Sequence, residues 1–211
     1  MKAITDRMAA AAERSGRSPD AVRLVAVTKT VGIAEARALL DLGITDLGEN
    51  RVDVGRAKIE AIGPAATWHM IGTVQRRKVR DVLALFDRID SIDRMTLAQT
   101  IQTRCEDGNR HIDALLEINV SGEDAKHGFP PEALEDILSK MALLDRIRVR
   151  GLMTMAPWGA EPGFLRGVFR RLRELAGTHG LEELSMGMTD DFEIAIEEGA
   201  TQVRIGRALF A

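Results

Sequence analysis

The sequence predicts an α/β fold, a (β/α)₈ (TIM) barrel preceded by an N-terminal helix. Eight short strand-like segments alternate with amphipathic helical segments, which is the pattern of a parallel sheet. Eight strands also suffice to close a barrel and so remove exposed sheet edges. Since 211 residues lie near the lower end of the range for this fold, we expect a single domain over residues 1–211 with short connections. An open, doubly wound sheet is the alternative.

The expected strands are short apolar runs bounded by polar or glycine-containing segments, as in a sheet covered on both faces. They cover residues 23–28, 46–49, 67–71, 88–92, 114–120, 149–155, 183–186 and 202–205.

The expected helices show apolar residues at helical spacing, such as Ile33, Ala36, Leu39 and Leu40 on one face. An N-terminal helix over residues 2–15 precedes the first strand and ends before Gly16 and Pro19. The others cover residues 33–42, 52–62, 77–86, 95–105, 131–144, 162–179 and 190–199.

The composition argues against several functional classes. A net charge of −3 is unlike that of nucleic-acid-binding proteins, which carry a basic excess. Cys105 is the only cysteine, which excludes internal disulfides and cysteine metal clusters and fits a reducing compartment. The amino terminus does not resemble a signal peptide, and no apolar run reaches the roughly 20 residues of a membrane span. We therefore expect a cytoplasmic monomer that binds no nucleic acid, membrane or metal.

The first strand ends at Lys29, which has a threonine on each side. A lysine inside a buried strand would lose its hydration, but at the carboxyl end of a barrel strand it opens into the cleft where ligands bind. A solvated strand-end lysine is one interpretation. A partly desolvated amine that attacks a carbonyl group is the other.

The segments after strands seven and eight predict a phosphate site. Ser185, Gly187 and Thr189 supply hydroxyl groups and unobstructed backbone, and Gly206 does the same after the last strand. Loops in these positions hold phosphate in many barrels. The alternative is that Thr189 caps a helix and the glycines serve turns. The acidic pair 190–191 counts against the phosphate interpretation unless both carboxylates project away from the anion.

Three further polar residues fall on or next to strands. Arg204 shares a strand face with Gly206 and needs a partner, either a ligand or a barrel carboxylate such as Glu49. His69 is either a satisfied core residue or a ligand-binding one. Asn50 either caps the second barrel helix or binds a ligand.

For two basic segments, a solvent-exposed position is favoured over a functional role. The arginines and lysine of residues 76–80 are not interleaved with aromatic side chains, so a solvated helix face is favoured over nucleic-acid binding. Lys126 lies in a glycine-containing segment after strand five. It is a second amine that could reach the mouth of the barrel, but an exposed loop lysine is favoured.

Six short motifs follow one another from the first strand to the carboxyl terminus. They are Val-Ala-Val-Thr-Lys29, Gly-Glu-Asn50, Trp-His69-x-Ile-Gly, Arg-Gly-Leu-Met153, Ser185-Met-Gly-Met-Thr-Asp-Asp and Val-Arg204-Ile-Gly. Together they resemble the pyridoxal-phosphate homeostasis protein family, also called the YggS or PROSC family, which is related to the barrel domain of alanine racemase. The sequence departs from the family pattern at Arg51, where tyrosine is usual, and at Arg76 and Arg77.

The resemblance implies a (β/α)₈ barrel that holds pyridoxal 5′-phosphate (PLP) as a Schiff base on Lys29. It places Arg204 against the pyridine nitrogen and the phosphate near Ser185, Thr189 and Gly206. The full set of cofactor-binding residues that we expect is Lys29, Asn50, His69, Ser185, Gly187, Thr189, Arg204, Gly206 and Arg207.

Two functions from different classes are compatible with this resemblance. The first is a PLP carrier or buffer in intracellular PLP homeostasis, which hands the cofactor to apo PLP-dependent enzymes and has no robust catalytic turnover. The second is a PLP-dependent amino-acid racemase or related enzyme. A racemase of the alanine racemase type needs a tyrosine from a second domain, whereas this sequence contains no tyrosine. We therefore expect the carrier.

Overall fold

Eight parallel strands form a closed barrel in the computed structural model, which describes residues 1–123 and 127–210. Each strand pairs with the next, and the last pairs with the first. The strands are β1 (Arg23–Val27), β2 (Asp46–Glu49), β3 (Thr67–Met70), β4 (Arg88–Ile92), β5 (Ile112–Glu117), β6 (Ile147–Met153), β7 (Glu183–Ser185) and β8 (Gln202–Ile205). The predicted barrel is confirmed, and the open sheet is excluded.

One helix precedes the barrel and seven more alternate with its strands in the described part of the chain. They are α1 (Lys2–Arg14), α2 (Ile33–Asp41), α3 (Val52–Ile62), α4 (Val79–Leu85), α5 (Met95–Asp107), α6 (Leu134–Met141), α7 (Pro162–Thr178) and α8 (Phe192–Glu197). None of these helices is long and apolar enough to cross a bilayer.

The predicted boundaries differ from the observed ones where local geometry interrupts a pattern. Arg76–Lys78 and Pro131–Ala133 form 3₁₀ turns, so α4 and α6 begin later than their periodicity predicts. Strand β5 begins two residues earlier and ends three residues earlier than predicted. It ends at Glu117 because the next residue, Ile118, pairs outside the barrel sheet with Phe129.

Alternation along each strand separates the barrel interior from the layer between strands and helices. On β1, Val25 and Val27 face inward, towards glycines of the neighbouring strands. A Cβ atom on Gly48 would lie 3.0 Å from the Val25 side chain, and one on Gly206 would lie 3.3 Å from Cβ of Val27. The interior is therefore filled closely beneath the rim at which β1 and β8 end.

Candidate functional site

Lys29 lies in a tight turn at the carboxyl-terminal rim. The turn covers residues 28–31 and is closed by a hydrogen bond of 3.1 Å from the Val31 N–H to the Thr28 carbonyl oxygen. The Thr28 hydroxyl donates to Oε1 of Glu49 on the outer side of the barrel, across 2.6 Å. Lys29 therefore lies on the rim, two residues beyond the end of β1. Lys29 is exposed, and its amine contacts no hydrogen-bond or ion-pair partner among the described residues.

Arg204 of β8 lies in the barrel interior, 5% exposed. Its guanidinium donates from Nη1 to Oγ of Ser185 at 2.7 Å and from Nη2 to the Thr154 carbonyl oxygen at 2.9 Å. No carboxylate within residues 1–123 and 127–210 forms an ion pair with it. The expected alternative partner, Glu49, is wrong for this role, because it lies outside the barrel and pairs with Lys58 at 2.5 Å.

The electrostatic surroundings of Arg204 leave its charge only partly balanced. Burial lowers the pKa of the guanidinium, and the carboxylates of Asp90, Asp191 and Glu117 offset this only in part. Burial also raises the pKa of the Glu117 carboxyl group, and neighbouring Asp93 raises it further. A buried cation without a directly paired anion is suited to hold an acceptor atom of a ligand.

The loop between β7 and α8 offers unused donors. Neither the hydroxyl nor the backbone N–H of Thr189 has a hydrogen-bond partner in the part of the chain that the structure describes. Gly187 has φ +92°, and a Cβ atom there would lie 2.5 Å from Cβ of Ala195. The Gly187 carbonyl oxygen accepts a hydrogen bond from the Arg204 N–H at 3.0 Å. Only glycine fits this position, which holds the loop close to β8.

The two acidic residues of this loop have partners of their own. Oδ1 of Asp191 accepts a hydrogen bond from the Met188 N–H at 2.5 Å. Burial raises the pKa of the Asp191 carboxyl group. Exposed Asp190 pairs at 3.3 Å with exposed Arg207, which follows Gly206. Residue 191 thus occupies the position before α8, and Thr189 is not the helix cap that the alternative interpretation expected.

Asn50 lies on the same rim, next to the loop that follows β3. The N-cap of α3 is Arg51, so the capping role considered for Asn50 is not observed. A Cβ atom on Gly72 would lie 2.3 Å from the Asn50 carbonyl oxygen, which shows how closely the two loops pack. Asn50 and Arg51 line a cleft of about 310 Å³ that also includes Arg77.

His69 belongs to a buried ionic network in the barrel interior. Its Nδ1 lies 2.8 Å from Oδ2 of Asp90 and its Nε2 lies 3.0 Å from Oδ1 of Asp46. Although burial lowers the pKa of the imidazole, these two carboxylates outweigh that effect and raise it. Asp90 also accepts from Arg88 and Gln202. Both ring nitrogens of His69 are therefore engaged by carboxylates, as the core interpretation of this residue expects.

Several residues of the site were not anticipated from the sequence. Thr154 binds Arg204 through a backbone carbonyl group, which leaves no trace in the residue type. For Glu117, the sequence pattern indicates only a position within an apolar strand. Lys58 could have been recognised from the sequence. It has the spacing of the buried face of α3, beside Gly55 and Ile59, where a lysine is unusual. Lys126 lies outside the described residues.

Comparison with known proteins identifies the protein family that this chain matches. Residues 1–211 match the family model described as the N-terminal domain of alanine racemase. The pyridoxal phosphate homeostasis protein of Aquifex aeolicus is 40% identical over 214 residues, which cover 98% of this chain and 94% of that protein.

Solved structures show the same architecture. PipY of Synechococcus elongatus PCC7942, with PLP bound, superposes with a TM-score of 0.84 at 32% identity, covering 99% of this chain and all (100%) of that one. An alanine racemase of Clostridium difficile superposes with a TM-score of 0.76 at 14% identity, covering 98% of this chain and 56% of that one. The second likeness shows the fold alone.

Proposed function

The chain belongs to the pyridoxal phosphate homeostasis protein family, and we propose that it holds PLP as a Schiff base on Lys29 and acts as a carrier or buffer of this cofactor. One observation carries the proposal. The exposed amine of Lys29 shares a rim with unused donors in the neighbouring loops after β7 and β8. An amine that faces a cluster of anion-binding donors suits an aldehyde that carries a phosphate.

The residues present fit such a group. Strand β8 pairs with both β7 and β1, so the segments that carry Thr189, Gly206 and Lys29 are neighbours on one rim. Thr189 offers a hydroxyl and a backbone N–H to an anion, and Gly206 leaves space that a side chain would fill. Buried Arg204 has no paired carboxylate among the described residues and can donate to a ring nitrogen. We also assign Asn50, Ser185, Gly187 and Arg207 to the rim of this site.

When bound, PLP supplies an aldehyde for imine formation and a pyridine ring that can withdraw electrons. The protein controls the second property through Arg204. A protonated guanidinium donates to the ring nitrogen and disfavours its protonation, whereas a carboxylate partner would favour it. An unprotonated ring withdraws electrons weakly, so the site supports reversible binding better than carbanion chemistry.

The racemase alternative lacks its second acid–base group. The sequence contains no tyrosine, and His69 has both ring nitrogens engaged by carboxylates in the barrel interior. The likeness to alanine racemase at 14% identity carries no statement about activity. Because the sequence lacks the tyrosine and His69 is held by carboxylates in the interior, the carrier is the function that the geometry supports best.

A paired measurement tests the carrier against the racemase. The PLP-loaded protein is mixed with an apo PLP-dependent enzyme, and the activation of that enzyme is followed over time. In parallel, Cα deuterium exchange is followed on a panel of amino acids in D₂O. We expect cofactor transfer to be far faster than amino-acid exchange. Exchange well above the free-PLP background that disappears in Lys29→Ala would contradict the carrier proposal.

A further inference from the structure

Behind the turn that carries Lys29 lies a buried group of three side chains, which we term the clasp: Thr28, Glu49 and Lys58. The Lys58 Nζ atom lies 2.5 Å from Oε1 of Glu49 and donates to the Thr28 carbonyl oxygen at 2.6 Å. It also donates to the Val31 carbonyl oxygen at 3.1 Å. The clasp thus holds the backbone on both sides of Lys29 without contacting the Lys29 side chain.

Each member of the clasp is shielded from water. Thr28 and Glu49 are 0% exposed, and Lys58 is 4% exposed. The Lys58 ammonium group pairs with the Glu49 carboxylate and donates two hydrogen bonds, both to carbonyl oxygens of the reactive turn. Lys58 thus connects the Glu49 carboxylate to the backbone of the turn.

Glu49 reaches this position because α3 has a glycine opposite it. A Cβ atom on Gly55 would lie 3.2 Å from Cγ of Glu49. Oε1 of Glu49 receives both the Thr28 hydroxyl and the Lys58 ammonium group, whereas Oε2 is buried and has no hydrogen-bond partner. The carboxylate is therefore oriented towards the turn through Oε1, and the unpaired Oε2 carries a cost in stability.

We infer that Thr28, Glu49 and Lys58 are positioning residues that fix the backbone of the turn so that the Lys29 amine is held ready to react with an aldehyde. The inference rests on the proposed Schiff base at Lys29. In that step the neutral Lys29 amine adds to the aldehyde carbon, a C=N bond replaces the C=O bond, and the oxygen leaves as water. The clasp neither donates nor accepts a proton in this step. It acts only through the placement of the Lys29 backbone.

The test compares isosteric variants of Thr28. Thr28→Val removes the hydroxyl while keeping the shape, and Thr28→Ser keeps the hydroxyl. PLP is mixed with each apo-protein in a stopped-flow instrument, and growth of the visible Schiff-base band is followed. We expect Thr28→Val to slow the growth of the band by about five- to thirtyfold, the scale of one lost buried hydrogen bond. Thr28→Ser should react at the wild-type rate.

The second variant combines Glu49→Gln with Lys58→Met, so that both charges of the ion pair are removed and no buried charge is left unpaired. We expect it to slow the growth of the band as Thr28→Val does. Thr201→Val is the matched control, because its hydroxyl accepts from the Leu184 N–H at 2.7 Å, at the start of β8 and thus at the opposite end of the barrel. It should leave the rate unchanged.

Equilibrium dialysis in a Lys29→Ala background separates positioning from general stability. Since the clasp acts through Lys29, adding Thr28→Val to Lys29→Ala should not change the residual affinity for PLP. Equal rates for Thr28→Val and Thr28→Ser would overturn the inference alone, as would an equal loss of affinity in both backgrounds. A visible band that survives in Lys29→Ala would overturn both the inference and the proposed Schiff base.

Discussion

Inside the barrel, Nη1 of Arg204 donates a hydrogen bond to Oγ of Ser185 across 2.7 Å. This contact joins β8 to β7 and orients the Ser185 hydroxyl. Because the oxygen accepts from the guanidinium, its own O–H remains available to donate, and no described residue receives it. Arg204, which the family resemblance places against the pyridine nitrogen, and Ser185, expected near the phosphate, thus form one hydrogen-bonded pair.

The unused donors of Thr189 predict a specific loss on substitution. Thr189→Ala should weaken PLP retention by about 1–3 kcal/mol, the scale of a hydrogen bond to a charged group. Equilibrium dialysis against free PLP measures the change, and Thr189→Ser is the control that keeps the hydroxyl. If Thr189→Ala retains PLP as well as the wild type, the phosphate does not lie at this loop.

The Gly187 position predicts a steric loss. Gly187→Ala introduces a Cβ atom 2.5 Å from Cβ of Ala195 and 3.0 Å from Cα of Phe192, at φ +92°. We expect the free energy of unfolding to fall by about 1–3 kcal/mol or more. Gly167→Ala is the matched control, because it lies within α7 with no atom within 4 Å. It should stabilise the protein by about 0.5–1 kcal/mol. If denaturant unfolding gives the same change in the free energy of unfolding for both variants, this account of Gly187 is contradicted.

The buried His69 network predicts a pH-dependent contribution to stability. Because its pKa is raised in the folded protein, its contribution is complete below the unfolded value of about 6.5 and is lost as pH rises through the folded pKa. His69→Gln should therefore lower the free energy of unfolding most at mildly acidic pH. The difference from wild type should become smaller in alkaline buffer.

Thermal unfolding across a pH series measures this effect. Exposed His111→Gln is the control, and we expect its effect on the free energy of unfolding to stay within about 0.5 kcal/mol throughout. A stability loss for His69→Gln that does not vary with pH would show that the imidazole is not held as a cation between Asp46 and Asp90.

The barrel could be predicted from the sequence because its signals are local. Strands β2, β4 and β8 and helix α3 were predicted with their observed boundaries, since each is an uninterrupted pattern bounded by polar residues or turns. The start of α4 could not be predicted, because a 3₁₀ turn at Arg76–Lys78 continues the helical spacing.

The site was predictable only where residue type carries the chemistry. The position of Lys29 at the end of a strand can be predicted from the sequence, and its place on the rim follows from the fold. The role of His69 could not be decided, because Asp46 and Asp90 are far from it in the sequence and meet it only in the closed barrel. The two carbonyl oxygens that bind Lys58 are backbone groups, which no sequence pattern reveals.

Mapping the modified lysine tests the central claim most directly. The PLP-loaded protein is reduced with borohydride, digested with trypsin and examined by mass spectrometry, with Lys126→Ala as the control variant. Modification of Lys29 blocks cleavage after it, so we predict a PLP-bearing peptide of residues 24–37, present in Lys126→Ala and lost in Lys29→Ala. An unmodified peptide of residues 24–29, together with the adduct on another lysine, would contradict the account.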